Sequence, residues 1–276
     1  MTISISGASG FIGRHLMKSL AQAGHSLRAL SRHAPPAESD AIIHLAGEPV
    51  AQRWTAAARQ RILDSRVVGT HNLVEALAAL PRRPEALICA SAIGYYGSRG
   101  DEILTESSAP GSGFLPEVCV AWEREAQAAE AFGIRVVRVR TGLVLDANGG
   151  ALVRMLPPFR MGVGGRLGSG RQWMSWIHLE DLAALFQFAV ESQVRGPLNA
   201  VAPNPVTNSD FTRELAHALR RPAVFPVPEF ALRLLFGEMA DVLLASQRVA
   251  PAAAEAAGFR FRFPQLAPAL EGLLRR

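Results

Sequence analysis

The stretch Gly7-Ala8-Ser9-Gly10-Phe11-Ile12-Gly13 decides the fold. It follows an apolar, strand-like run at residues 3–6 and opens a helical pattern at 11–23, closed by Gly24. In such a turn each glycine has its own task. Gly7 permits the tight bend, Gly10 lets backbone approach a pyrophosphate, and Gly13 lets the helix lie close on the strand. Ser9, Phe11 and Ile12 fill the turn and the first helical positions, whose N–H groups lack partners within the helix and face an anion. A glycine pattern alone is weak. This one stands between a strand and a helix at the head of an alternating chain.

Outward from that turn, strands are predicted at 27–31, 41–46, 86–90, 134–140 and 198–201. Helices are predicted at 56–80, capped by Thr55 and stopped by Pro81, at 116–132 with Gly133 behind it, and at 179–191. Strand, helix and strand in alternation give an α/β fold, a Rossmann-type doubly wound parallel sheet. From Pro203 onward the texture changes to short helices broken by prolines, at 208–219, 228–236, 241–246 and 264–274. This is a small, mostly helical C-terminal cap. The expected division is a dinucleotide-binding core at 1–145, completed by 176–202, and a cap at 203–276 with 146–175 as a Gly-rich flap. One connection is short. Ser31-Arg32-His33-Ala34-Pro35-Pro36 runs almost directly into Asp40, where a full mononucleotide-binding half would place a helix and a strand. Either that unit is lost or residues are missing from the sequence.

The chain has 276 residues, and 49% of them are hydrophobic, enough for a sizeable core. No apolar run reaches the roughly 18 residues of a membrane span, and no signal-peptide pattern follows Met1. Cys89 and Cys119 are its only cysteines, which suits a reduced, cytoplasmic protein. The net charge of +5 is almost all arginine, spread along the chain with Lys18 as the single lysine. No basic, aromatic-interleaved motif is present, so neither nucleic acid nor membrane is an expected partner. No metal site is expected.

The second strand ends at Ser31-Arg32. An acidic residue there would hydrogen-bond a ribose 2′-hydroxyl and repel a 2′-phosphate. Arg32 attracts the phosphate instead, and Ser31 can donate to it. At contact distance and an effective dielectric near 20, one charge pair is worth about 4 kcal/mol before desolvation, so NADP(H) is expected over NAD(H). The next strand ends in His44-Leu45-Ala46-Gly47-Glu48, whose edge passes the adenosine ribose and pyrophosphate. Gly47 permits close approach there. His44, in an apolar strand, reads as a core histidine.

Several further runs stand out: H-L-A-G, L-A-G-E-P-V, S-R-V-V-G-T, S-A-I-G-Y-Y-G, C-V-A-W-E, R-T-G-L-V-L, G-S-G-R-Q-W-M-S-W-I-H and G-F-R-F-R-F-P. With the glycine turn, they resemble the extended short-chain dehydrogenase/reductases of the NAD(P)-dependent epimerase/dehydratase superfamily. Within it they resemble an atypical subfamily, the epimerase family proteins, over essentially the whole chain. The resemblance implies a Rossmann core, bound NADP(H) and a cap over a substrate cleft. It sets Ser31, Arg32, Leu45, Ala46, Arg66 and Val144 along the cofactor, with Ser91, Thr141 and Gly142 in the same motifs. The short loop after Arg32 departs from the family's longer insert.

The superfamily's usual chemistry needs a Ser or Thr, a Tyr, and a Lys four residues after that Tyr. Here Tyr95 and Tyr96 are the only tyrosines, and Arg99 and Gly100 stand four positions on. No Tyr-x-x-x-Lys motif can form. The helix that would carry it reads Glu117-Val118-Cys119-Val120-Ala121-Trp122-Glu123, and the usual Ser/Thr position is Ala92, with Ser91 beside it. A positioned acid or base contributes roughly 10²- to 10⁴-fold. Positioning of reactants contributes about 7–11 kcal/mol, so hydride transfer would be slowed and not abolished. Tyr95, Tyr96, Cys119, Glu123 and Ser91 are the candidate substitutes.

Residues 161–175 are Gly-rich and carry Arg166, Arg171 and Trp173. A pliable, basic flap suits a small anionic or nucleotide-linked substrate. His178 and Asp181 read as a helix start. Two functions follow: an NADP(H)-dependent oxidoreductase or sugar-nucleotide-epimerase-like enzyme with a non-standard active site, or a non-catalytic NADP(H)-binding redox sensor or regulator. A monomer or a homodimer is expected.

Overall fold

Ile3 and Ile5 alternate with Ser4 and Ser6, and all four are buried. A strand covered on both faces belongs to a parallel sheet with helices on each side. The computed structural model describes residues 1–31 and 36–274 and has that architecture. The chain runs β1 (Thr2–Ser6), α1 (Phe11–Gln22), β2 (Ser26–Leu30), β3 (Ala41–His44), α2 (Ala56–Ala78), β4 (Ala86–Ala92), β5 (Ile103–Leu104), α3 (Phe114–Gln127) and β6 (Arg135–Thr141). It continues through β7 (Leu143–Asp146), α4 (Gly150–Arg160), β8 (Trp173–Met174), β9 (Trp176–His178), α5 (Leu179–Glu191) and β10 (Gly196–Ala200). It ends with β11 (Val206–Thr207), α6 (Asn208–Leu219), α7 (Glu229–Phe236), α8 (Ala240–Leu244), β12 (Arg248–Val249), α9 (Ala252–Ala256) and α10 (Leu266–Leu274).

Six parallel strands form the main sheet in the order β10-β6-β4-β3-β1-β2. On one face Leu16 and Leu20 of α1 meet Leu182, Leu185 and Phe186 of α5; on the other Val74 and Leu77 of α2 meet Trp122 and Ala126 of α3. Each such leucine, valine or phenylalanine, fully buried, stabilises the fold by about 1.5–3 kcal/mol. Strand β1 pairs with β2 on one side and β3 on the other. That reversal opens a crevice at the carboxyl ends of β1 and β3, where ligands of such sheets sit.

Residues 32–35 of the short link between β2 and β3 lie outside the described residues. β2 is the edge of the sheet, and Asp40 returns to β1 at once, with Asp40 N donating to Thr2 O and Thr2 N to Asp40 Oδ2. No strand extends the sheet beyond β2 among the described residues.

Three features of the structure go beyond the sequence reading. The expected flap contains a helix, α4, although Pro157 and Pro158 lie inside it. Burial of Leu152, Leu156 and Phe159 along one face outweighs the prolines. Next, segments of residues 203–276 also reach the core. β12 pairs with β5, and Ala254 and Phe259 join the core under α1 and α5. Helices α4, α6 and α10, with Leu145, Trp176 and Ala202, enclose the second core. Lastly, the helix expected at 116–132 starts at Phe114 and tightens into a 3₁₀ turn from Ala128 to Phe132, closed by left-handed Gly133. No helix among the described residues is long and apolar enough to cross a membrane.

Candidate functional site

The glycine turn sits at the crevice. A Cβ on Gly13 would lie 2.1 Å from the Gly7 carbonyl oxygen, and one on Gly7, whose φ is +71°, would press on the Leu45–Ala46 backbone at 3.0 Å. The first helix and the two loops therefore touch through main chain. Gly10 is the N-cap of α1, with no side-chain cap and no acid in the first turn. Its exposed edge and that of Ser9 face outward, with the helix's positive end behind them. Ile12 packs inward on the core. The Phe11 ring lies against Gly149 and Gly150, where any Cβ would overlap it.

The next loop is held from below. Ser6 Oγ accepts from the amides of Leu45 and Ala46, at 3.2 and 3.3 Å. It also bonds His44 Nδ1 at 2.6 Å, and His44 Nε2 meets Thr70 Oγ1 at 3.1 Å. Burial pushes His44 down to about 4 from an ordinary 6.5. The unfolded chain takes up that proton near pH 6.5, while the folded one refuses it until about pH 4. Its contribution is complete above pH 6.5 and is lost as pH falls toward 4. At about 1.4 kcal/mol per pH unit this is roughly 3 kcal/mol. Urea unfolding at stepped pH should show that slope, and His44→Gln should flatten it.

Gly47 abuts the Arg66 guanidinium, which would lie 3.3 Å from a Cβ there. Arg66 Nη1 donates to the carbonyls of Glu48 and Ile62, and the group stacks 5.1 Å from the Trp122 ring. Burial lowers its pKa; nearby Glu48 opposes that shift. Ser91 and Thr141 stand at the same carboxyl edge, on β4 and β6. Gly142 lies so close to Ser175 that a Cβ on it would fall 2.5 Å from Ser175 O, and Val144 lies in β7 beside β9. Ser31 is exposed at the end of β2, and Arg32 lies outside the described residues.

Four of the five candidate acid–base residues are enclosed. Glu123 receives a two-pronged hydrogen bond from Arg140, Nε to Oε1 and Nη2 to Oε2, both 2.8 Å. Ser91 Oγ donates to Glu123 Oε1 at 2.7 Å. Tyr96, wholly buried, accepts from Arg140 Nη1 at 2.9 Å and donates to Asn199 Oδ1 at 2.7 Å. Burial pushes its hydroxyl up, and Arg140 pulls it back. Ser91, Arg140 and Asn199 are register neighbours on three adjacent strands. Burial works against the charge of Arg140, yet the hydrogen bonds and charge of Glu123 hold it above the ordinary range. Cys119 is buried and its thiol is pushed up to about 12, by burial and then by Glu123, so it is no ready thiolate. Tyr95 is only partly covered, edge-on to Tyr96, with Arg140 3.5 Å from its ring centroid.

The expected substrate residues do not converge. Arg166 lines a cleft of about 340 Å³ inside the cap, with Arg213 and Arg221. Trp173 Nε1 donates to Asp101 at 2.7 Å, and Arg248 stacks on its ring at 4.4 Å. Arg171 is exposed. The flap glycines serve close packing. A Cβ on Gly165 would fall 1.8 Å from Phe225 O, and Val227 N donates to Arg166 O. His178 caps α5 by accepting from Glu180 N, and Asp181 accepts from the amides of Arg262 and Phe263, tying the C-terminal segment down.

Residues 3–201 match the profile of the NAD dependent epimerase/dehydratase family. The chain belongs to that family. Residues 227–273 match a domain of unknown function, DUF1731. An epimerase family protein of Mycobacterium bovis is 41% identical over 97% of this chain and 96% of its own. The chloroplastic SDR39U1 homolog of Arabidopsis thaliana is 38% identical, over 100% and 87%. Among solved structures, human epimerase family protein SDR39U1 with NADPH superposes with a TM-score of 0.92 at 33% identity, covering both chains fully. Within the family this chain is an atypical extended short-chain dehydrogenase/reductase, without Tyr-x-x-x-Lys.

Two groups of residues in this family member escaped the sequence reading. Arg140 and Asn199 complete the buried network. Arg138 and Arg140 alternating with buried valines in a central strand were the available signal. Trp54, Arg59, Phe114 and Glu238 line a cleft of about 330 Å³ between core and cap. They come from three distant segments, and only Arg59, seven residues before Arg66 on one helix face, left a trace.

Proposed function

We propose that the chain binds NADP(H) along the carboxyl edge of the sheet and acts as an oxidoreductase or epimerase-like enzyme without the usual tyrosine–lysine pair. The observation that carries this is the Gly7–Gly13 turn, which opens an uncapped helix at the point where strand order reverses. The human relative solved with NADPH supports it. The cofactor would supply the hydride. Gly10 and the first amides of α1 would hold the pyrophosphate, Leu45, Ala46, Gly47 and Arg66 would flank the ribose, and Ser31 and Arg32 would read the 2′-phosphate. Of the candidate acids, Tyr95 is the one not enclosed and is the proposed proton carrier. The two free, buried cysteines suit a reducing, cytoplasmic setting.

A titration by energy transfer from tryptophan should show NADPH binding at least about tenfold tighter than NADH, a difference of ~1.4 kcal/mol. Arg32→Glu should erase or reverse that preference. Equal affinities in the unaltered protein would refute it. A second reading, a non-catalytic NADP(H)-binding regulator, is favoured by one observation: Ser91, Tyr96 and Glu123 are tied into one another through Arg140. A carbonyl and sugar-nucleotide panel run with wild type and Tyr95→Phe separates the two. Turnover that Tyr95→Phe lowers by 10² or more supports the enzyme; no turnover on any substrate supports the regulator.

A further inference from the structure

The cleft between core and cap shares helix α2 with Arg66 of the crevice. Arg59 precedes Arg66 by seven residues, about 10 Å along α2 on the same face. Its floor is aromatic: the Trp54 and Phe114 rings meet edge-to-face at 5.1 Å, and the Arg59 guanidinium lies 4.7 Å from the Phe114 centroid. Trp54 Nε1 is already bonded to Val50 O, so that side chain offers the cleft only its ring. The cap contributes Glu238, whose Oε2 meets Arg59 Nη2 at 3.0 Å.

Two details of Arg59 mark this ion pair as a placeholder. Glu238 comes to 3.0 Å of Nη2, while Nε is buried with no hydrogen-bond partner. A guanidinium binds a carboxylate best side-on, through two parallel N–H groups. One of those two is idle here. The Glu238 side chain is also more than half exposed, and exposed pairs contribute little to stability, so exchange of that partner is easy. An incoming carboxylate that took both Nε and Nη2 would satisfy the idle donor and release Glu238.

We propose that this cleft is a substrate-recognition subsite for a carboxylate carried on an aromatic or other apolar body. The body lies on Trp54 and Phe114 with Leu63 beneath it, and Arg59 takes the acid in place of Glu238. The proposal rests on the reading of the adjacent crevice as the cofactor site, which makes the occupant a substrate.

The test uses phenylacetate and indole-3-acetate against their neutral amides, by calorimetry and saturation-transfer NMR, on the whole protein with and without NADPH. The acids should bind at least about tenfold tighter than the amides. Glu238→Gln should strengthen acid binding several-fold by removing the competitor. Arg59→Lys keeps the charge but loses the planar fork, and should weaken it about tenfold or more; retained NADPH binding by that variant shows that it is folded. Acids and amides that bind alike, or do not bind, overturn the proposal. So does an Arg59→Lys protein that binds acids as before, or a Glu238→Gln protein that binds them less well. A wild-type protein that takes the acids but not NADPH keeps the subsite and overturns the cofactor reading alone.

Discussion

Arg140→Met should lower the unfolding midpoint by on the order of 10 °C, more than any exposed arginine replacement in the chain. Arg140 is 3% exposed and serves Glu123 with two hydrogen bonds, Tyr96 with one and the Glu106 carbonyl with a longer one. Its loss leaves a carboxylate buried with only Ser91 bonded to it at close range and Arg138 3.9 Å away. Breaking a buried pair from one side costs about 3–5 kcal/mol. In a domain of this size each kcal/mol moves the midpoint by about 2–4 °C. The cost comes from the orphaned charge and not from the worth of the pair, and this has a consequence. Glu123→Leu with Arg140→Met should be more stable than Arg140→Met alone, a non-additivity of at least ~1 kcal/mol. Calorimetry of the two single variants and the double variant measures it. Additive losses would mean that Glu123 and Arg140 stabilise the fold independently, contrary to their geometry.

That network also shows where sequence reading stops. Periodicity placed Leu179–Glu191 and Asn208–Leu219 at their observed bounds, because one face of each is apolar and a cap opens each. Thr55 was legible as a cap for the same reason, and its side chain accepts from Ala58 N. The glycine turn was legible because backbone geometry at Gly7 and Gly13 admits almost nothing but glycine. Helix α4 was not, since local propensity at Pro157-Pro158 opposed what long-range burial of Leu152, Leu156 and Phe159 decided. Return of β12 and α9 to the core was hidden likewise, because two-residue pairing with β5 leaves no periodic signal. At the site, residue types identified Ser91, Tyr96, Cys119 and Glu123 as chemically capable. Only three-dimensional neighbours could show that Arg140 and Asn199 hold the first, second and fourth in a closed set of hydrogen bonds.

Substitution of single glycines in the turn should separate folding from cofactor binding. Gly13→Ala would set a Cβ 2.1 Å from Gly7 O and 2.8 Å from Ala8 Cα. Both are main-chain atoms, so no side chain can move aside, and α1 must lift from the end of β1. Overpacking in a core costs about 1–3 kcal/mol, and a backbone clash this close belongs at or above the upper limit. Displacement of α1 also disturbs Leu16 and Leu20, which lie in the main core. Gly13→Ala should therefore lose both stability and NADPH. Gly10 differs. Its φ of −71° suits alanine, and its Cβ would meet only Gly7 O, at 3.1 Å. That contact asks for a shift of a few tenths of an ångström and costs little. The methyl would instead occupy the exposed side of the turn, where the pyrophosphate is proposed to lie against bare backbone. Gly10→Ala should keep its unfolding midpoint within a few degrees of wild type while NADPH affinity falls at least about tenfold, or ~1.4 kcal/mol. Thermal melts and fluorescence titrations on the two variants make the comparison. If Gly10→Ala bound NADPH as wild type does, the pyrophosphate would not lie against this turn, and the cofactor would have to be placed elsewhere along the sheet edge.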